Sequence, residues 1–243
     1  KSGDEAMVKF GVGQSVKRVE DPRLLTGNGR YTDDIQPRRQ AHAYFVRSPH
    51  AHASFTKVDT AAAAKAPGVL AVVTGADLQA AGIGNVPCLV PLKNRDGSSM
   101  PMTPRPALAV GRARFVGDAV AMVVAETLAE AKDAAELVEI DWNPLPATTD
   151  IEASARPGAL QVWDFARNNQ VFDWELGDEK ATAAAFAKAH RVVAMDFVNN
   201  RLVPNSMEPR NAIGEVTPDG RLQLTVSSQG GSGLRKEIGR AHV

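Results

Sequence analysis

Apolar and polar residues alternate over residues 40–58, where Ala43, Phe45, Ser48, Ala51, Ala53 and Phe55 are interleaved with polar positions. The pattern predicts two strands broken at Ser48-Pro49, because proline cannot donate to a ladder and holds the residue before it extended. Residues 60–66 are alanine-rich and read as a helix stopped by Pro67-Gly68. The run VLAVVTG at 69–75 has the length and β-branched content of a buried strand. A short helix over 76–81 ends at Gly82, and residues 83–107, with five prolines, read as a long loop.

The clearest local unit follows. Residues 115–127 read as a strand and residues 128–138 as a helix, with Leu128, Ala131, Ala135 and Val138 at helical spacing. Residues 139–146 read as a second strand closed by two prolines. Strand, helix and strand in about thirty residues match a βαβ or split βαβ unit. Residues 147–170 are polar and punctuated by Pro and Gly, as a linker is. A helix is predicted over 179–190 and a strand over 191–200. A hairpin over 211–230 turns at Pro218-Asp219-Gly220, and a glycine-rich turn then opens a final helix. Residues 1–30, broken by glycines and Pro22, read as an extended arm. The mixture specifies an α+β (mixed α/β) fold.

Composition narrows the function classes. The 243 residues suit one or two domains at ~150 residues each. Hydrophobic residues at 44% and charged residues at 23% exclude a chain disordered throughout. Lys plus Arg and Asp plus Glu both number 28, so no net field favours nucleic acid or an anionic membrane. No apolar run reaches the ~20 residues of a membrane helix, and no secretory signal is recognisable. The chain begins at Lys1 rather than Met, so its native N-terminus is expected to lie elsewhere.

Several residues could carry chemistry. Gly11-Val12-Gly13 is half of a dinucleotide fingerprint, but no strand precedes it and no third glycine opens a helix. His50 and His52, two apart on a predicted strand, would share a face as some metal ligands do; no third ligand is near in sequence, which favours a structural role. Cys88 is the only cysteine, which excludes an intramolecular disulfide and any Cys-based metal site within the chain. No cation adjoins it to lower its pKa, so it reads as a spectator. Asp33-Asp34 fit turn chemistry better than an acid/base pair. Glu208 reads as a structural carboxylate that pairs with Arg210 or accepts backbone N–H groups. The most informative stretch is Gln229-Gly230-Gly231-Ser232-Gly233. Its glycines permit close backbone approach to a ligand, its N–H groups form an anion nest, and Gln229 supplies a neutral amide donor. A plain connector before a helix has the same composition.

Seven stretches in one order carry a family resemblance. They are RVEDPRLLTGNGRYTDDI (18–35), FVRSPHAHA (45–53), APGVLAVVTGADL (66–78), VGDAVAMVVAETLAEAKDAAELVEIDWNPLPA (116–147), WELGD (174–178), SMEPRNAIGE (206–215) and RLQLTVSSQG (221–230). Together they resemble the large, molybdenum-binding subunit of the xanthine dehydrogenase / aldehyde oxidase family, which includes aerobic carbon monoxide dehydrogenase. The resemblance implies an arm (1–17), an a/b hammerhead domain (18–147), a linker (148–170) and the first part of a molybdopterin-binding α+β domain (171–243). It implies an oxidoreductase that hydroxylates a small substrate, or oxidises CO, with oxygen drawn from water. Electrons would leave through [2Fe-2S] clusters and FAD on partner subunits. Gln229 and Gly230 match cofactor-contacting positions, with the Gln229 amide beside the apical oxo ligand of molybdenum. His50, His52 and Glu208 match positions where packing roles are expected. The family's catalytic base lies further along the subunit, so no catalytic residue and no metal ligand is assigned here. The chain is expected to be inactive alone and to need the remainder of the large subunit. A cytoplasmic location is expected, with the periplasm as the alternative. The rival functions are a non-catalytic subunit-docking module and, more weakly, a nucleotide binder using Gly11 to Gly13.

Overall fold

The computed structural model describes residues 17–200 and 202–240. Two compact units divide the chain: Lys1–Pro37 with Arg201–Gln229, and Arg38–Asn200 with Gly230–Val243.

In the larger unit, β1 (His42–Arg47), β5 (Ala119–Ala125) and β3 (Val69–Thr74) form one sheet in the order β1-β5-β3, with both pairings antiparallel. Val123 of β5 stands opposite Tyr44 on one side and Val72 on the other. Helix α3 (Leu128–Ala135) packs against β1, β5 and β3 and buries Ala131, Ala134 and Ala135. The core here is Ala63, Ala121, Val123, Ala134, Ala135 and Val138. A second antiparallel sheet has the order β4-β2-β6, from Arg112–Ala113, Ala53–Asp59 and Glu139–Pro144. It buries Phe55 beside Ala109 and Val120, with Trp142 edge-on to Phe55 at 5.2 Å. Val58 and Ile140, opposite each other in β2 and β6, pack against both cores and join the sheets.

Helix starts follow local chemistry. Thr127 Oγ1 accepts from Glu130 N–H while Thr127 N–H donates to Glu130 Oε2, a reciprocal cap on α3. Thr74 and Asp77 repeat the device on α2 (Gly75–Ala80). Asp150 and Asp178 cap α4 (Ile151–Ala155) and α5 (Glu179–Lys188).

The mixed α+β character holds, and several predicted elements change. Residues 115–146 are not a βαβ unit with neighbouring strands, because β5 and β6 belong to different sheets. Both edges of β5 are taken by β1 and β3, so β6 pairs elsewhere. Residues 115–118 form a turn with Gly117 at φ +91°, and the strand starts at Ala119. The helix expected over 60–66 is a single 3-10 turn, Ala63–Lys65; so short a stretch cut by Pro67 does not nucleate an α-helix. The strand expected over 191–200 carries no ladder, and Val193, Phe197 and Val198 are exposed. The β-branched and apolar composition there favours a strand, but no partner strand meets it among the described residues. The arm holds a short helix, α1 (Asp21–Leu25), with Pro22 in its first turn. Within the larger unit, residues 148–170 carry α4 and pack beside β4: the Arg114 guanidinium lies 3.5 Å over the Trp163 ring, and Arg112 pairs with Asp164 at 3.0 Å.

Candidate cofactor-contact site

The stretch ending at Gln229 belongs to the smaller unit. Strands β7 (Ala212–Val216) and β8 (Leu222–Val226) pair antiparallel from Val216↔Leu222 at the turn to Ala212↔Val226 at the open end. Gly220, at φ +80°, closes the turn with its N–H on Thr217 C=O at 2.8 Å. A side chain at that φ would strain the turn, so glycine is required there.

Past Val226 the ladder ends, and a side-chain clasp takes over. Glu208 Oε2 accepts a short hydrogen bond from the Ser227 hydroxyl. Glu208 Oε1 accepts from the Thr32 backbone N–H at 2.8 Å. Ser206 Oγ donates to the Glu208 carbonyl at 2.9 Å and fixes the turn that presents the carboxylate. The Ser227 hydroxyl and Thr32 N–H hold the Glu208 carboxyl below the usual carboxylate range. This corrects one of the two partner sets weighed for Glu208: it accepts a backbone N–H, as foreseen, but forms no ion pair with Arg210 among the described residues.

Two residues beyond Ser227 lies Gln229. Its side chain is exposed and makes no hydrogen bond among the described residues. Gly230 is also exposed, and α6 (Gly231–Arg240) begins directly after it, with Leu234 N–H on Gly230 C=O at 3.1 Å. At Gly230, Gly231 and Gly233 nothing among the described residues lies within 4 Å of where a Cβ would sit. The chain's own packing therefore does not demand glycine at these three positions.

The other candidates resolve into structural parts. His50 and His52 lie in the bend between β1 and β2, not on a strand, so their predicted shared face does not exist. Pro49 breaks the ladder before them. His50 meets the Trp142 ring edge-on at 5.5 Å, and His52 Nδ1 bonds Pro146 C=O at 2.8 Å. No cluster of three or more His, Cys, Asp or Glu side chains suited to a metal occurs among the described residues. Asp33 and Asp34 sit in the 3-10 turn Thr32–Asp34, where Asp34 Oδ2 accepts from Tyr31 N–H at 2.8 Å. Cys88 is exposed in the long loop. Gly11-Val12-Gly13 lies outside the described residues. Sequence reasoning missed Thr32 and Ser227 as partners of Glu208: each stands in a different stretch that carries the resemblance, and they lie 176 and 19 residues from it, a pairing that no spacing rule reveals.

Comparison with known proteins places this geometry. Residues 26–146 match the family model "Aldehyde oxidase and xanthine dehydrogenase, a/b hammerhead domain". Residues 162–242 match the "Molybdopterin cofactor-binding domain". The carbon monoxide dehydrogenase large chain of Afipia carboxidovorans is 34% identical over 241 residues, covering 91% of this chain and 28% of the relative. The nicotine 6-hydroxylase large subunit of Paenarthrobacter nicotinovorans is 37% identical over 221 residues, covering 90% of this chain and 26% of the relative. Reconstituted CO dehydrogenase from Oligotropha carboxidovorans superposes with a TM-score of 0.79 at 34% identity, covering 94% of this chain and 29% of that one. The chain thus spans between a quarter and a third of the length of these relatives. Two consecutive domain matches and a shared fold converge: the chain belongs to the xanthine dehydrogenase / aldehyde oxidase family of molybdenum hydroxylases, matching part of its large molybdopterin-binding subunit.

Proposed function

We propose that the chain works within a molybdenum-dependent hydroxylase or dehydrogenase, and that Gln229 and Gly230 contact its molybdopterin cofactor. The observation that carries the reading is the Gln229 amide, exposed and without a hydrogen-bond partner among the described residues, at the end of β8 inside the stretch that matches a cofactor-binding domain. The residues fit such a group. Gln229 offers an amide N–H to an acceptor oxygen. When bound, the molybdenum cofactor supplies the two-electron oxidation of a small substrate with oxygen from water. Gln229 orients it through a hydrogen bond, and the glycines let the backbone come close.

The domain limits proposed from the sequence belong to this reading: a hammerhead domain at 18–147, a linker at 148–170 and cofactor-binding residues from 171. So do the partners: the rest of the large subunit, and subunits carrying [2Fe-2S] clusters and FAD. A cytoplasmic site of action is part of the same proposal; no helix among the described residues is long and apolar enough to cross a membrane.

A subunit-docking module is the second reading, favoured by the exposed apolar run at 192–198. Metal analysis and Mo(V) electron paramagnetic resonance of the complete enzyme, wild type and Gln229→Ala, separate the two. The cofactor reading expects molybdenum in the wild type and a displaced Mo(V) signal in the variant. A complete complex without molybdenum supports docking alone, and a variant signal identical to wild type removes Gln229 from the site.

A further inference from the structure

We propose that Glu208 is a positioning residue for Gln229, setting the direction of the amide through Ser227. The inference rests on the reading of Gln229 given above and adds to it a residue outside the cofactor contact.

Three observations carry it. First, the β7–β8 ladder stops at the pair Ala212↔Val226, so the backbone bearing Gln229 is past the last sheet hydrogen bond. A two-stranded hairpin is marginally stable by itself, and its open end frays first. Second, the side-chain tie that follows is Ser227 to Glu208, and Glu208 is itself anchored by Thr32 N–H and by its own turn through Ser206. The carboxylate therefore refers the end of β8 to a segment far away in sequence. Third, Gln229 has no hydrogen bond to hold its side chain among the described residues, so its placement depends on its backbone. It stands two positions beyond Ser227, at most about 7 Å along the chain.

The chemistry explains why a carboxylate stands at 208. Its ionised form accepts at both oxygens and donates nowhere, which suits two donors, a hydroxyl on one oxygen and a backbone N–H on the other. Glutamine there would turn its NH2 toward Ser227, whose hydroxyl would then accept, so the charge-assisted bond that ties the end of β8 would become a weaker neutral one. A clasp that only stabilised the unit would do the same for the fold, so the test must read the cofactor.

The experiment uses the complete, molybdenum-loaded enzyme and four variants: Glu208→Gln, Ser227→Ala, Gln229→Ala and the Glu208→Gln/Gln229→Ala pair. The readouts are molybdenum content, the Mo(V) resonance, and kcat and KM separately. Positioning predicts that Glu208→Gln and Ser227→Ala keep their molybdenum and displace the Mo(V) signal in the sense that Gln229→Ala does. Each lowers kcat about tenfold, with KM held within about twofold. The double variant is no worse than Gln229→Ala alone, because both changes remove one effect.

Signals and kcat like wild type in Glu208→Gln, when Gln229→Ala alters both, would overturn the proposal and leave the Gln229 reading standing. If Gln229→Ala also behaves as wild type, both fall. If Glu208→Gln does not fold or load molybdenum, Ser227→Ala decides. It removes only the arm toward Gln229 and keeps the Thr32 bond, so an unshifted signal in that variant refutes positioning.

Discussion

Val123 tests the architecture of the larger unit most directly. It is fully buried at the middle of β5, between Tyr44 and Val72 and under α3. Truncation to alanine removes two methyl groups. Leu→Ala substitutions in a packed core remove three carbons and cost roughly 2.7–5.0 kcal/mol, so two thirds of that range, about 1.8–3.3 kcal/mol, is the starting value for Val123→Ala. Four of its five buried cluster mates are alanines, Ala63, Ala121, Ala134 and Ala135. Alanine has no side chain long enough to swing into the space, which favours the upper half of the range. At about 2–4 °C per kcal/mol for a unit of this size, Tm falls by about 5–13 °C. The assay is thermal unfolding followed by tryptophan fluorescence, with Val193→Ala as control. Val193 is 80% exposed, and its truncation should stay within about 0.5 kcal/mol. A loss below about 1 kcal/mol for Val123→Ala would mean that β5 is not the covered central strand, and the sheet order would be wrong.

Other outcomes follow from single features. Gly75→Ala places a Cβ 2.7 Å from Ala109 O, 2.7 Å from Val110 Cγ2 and 2.8 Å from Leu108 O; two of these are backbone atoms, so thermal unfolding should show a loss of about 1–3 kcal/mol. Gly84→Ala, with open space and no positive φ, should be neutral or gain up to about 1 kcal/mol in the same assay. Burial pushes the Asp118 carboxyl above its ordinary value, against the opposing Arg114 N–H bond, so folding favours its protonated form. That contribution is complete below the unfolded pKa and is lost as pH rises through the folded one; Asp118→Asn should therefore raise Tm at pH 7 and lose the advantage near pH 3. Glu208 has the opposite sign: its folded pKa is depressed, chiefly by Ser227, so its stabilisation is present at neutral pH and lost on acidification through the folded pKa. Melting curves should show a larger gap between wild type and Glu208→Gln at pH 7 than at pH 3.

What the sequence made legible was local or was carried by resemblance. Thr127 and Glu130, three residues apart, announce the start of α3, and both capping bonds form. Pro218-Asp219-Gly220 announces the β7–β8 turn, and the register follows from it. What stayed hidden was partner choice. The run around Val123 reads as a buried strand, but nothing in it says that β1 and β3 take both its edges and send β6 to another sheet. Residues 191–200 have strand composition, yet a strand needs a neighbour to supply its hydrogen bonds. His50 and His52 looked like neighbours on one face because the break at Pro49 was placed in sequence without its bend. At the candidate site Gln229 stands out as a proposal from its glycine-rich context and from the family pattern. The Thr32–Glu208–Ser227 clasp was not legible, because the three residues stand in three separate stretches and nothing in any one of them names its partners in the others.

The order β1-β5-β3 has a consequence for synthesis. The middle strand leaves the ribosome last, roughly seventy residues after β1 ends, which at ~5–20 residues per second is about 4–14 s. Through that interval β1 and β3 have no centre to pair with, and their apolar faces wait for α3, which is made later still. Translation speed across the proline-rich stretch between β3 and β5 therefore sets how long the nascent chain depends on chaperones, and slow codons there should lower the yield of folded protein more than slow codons after residue 138.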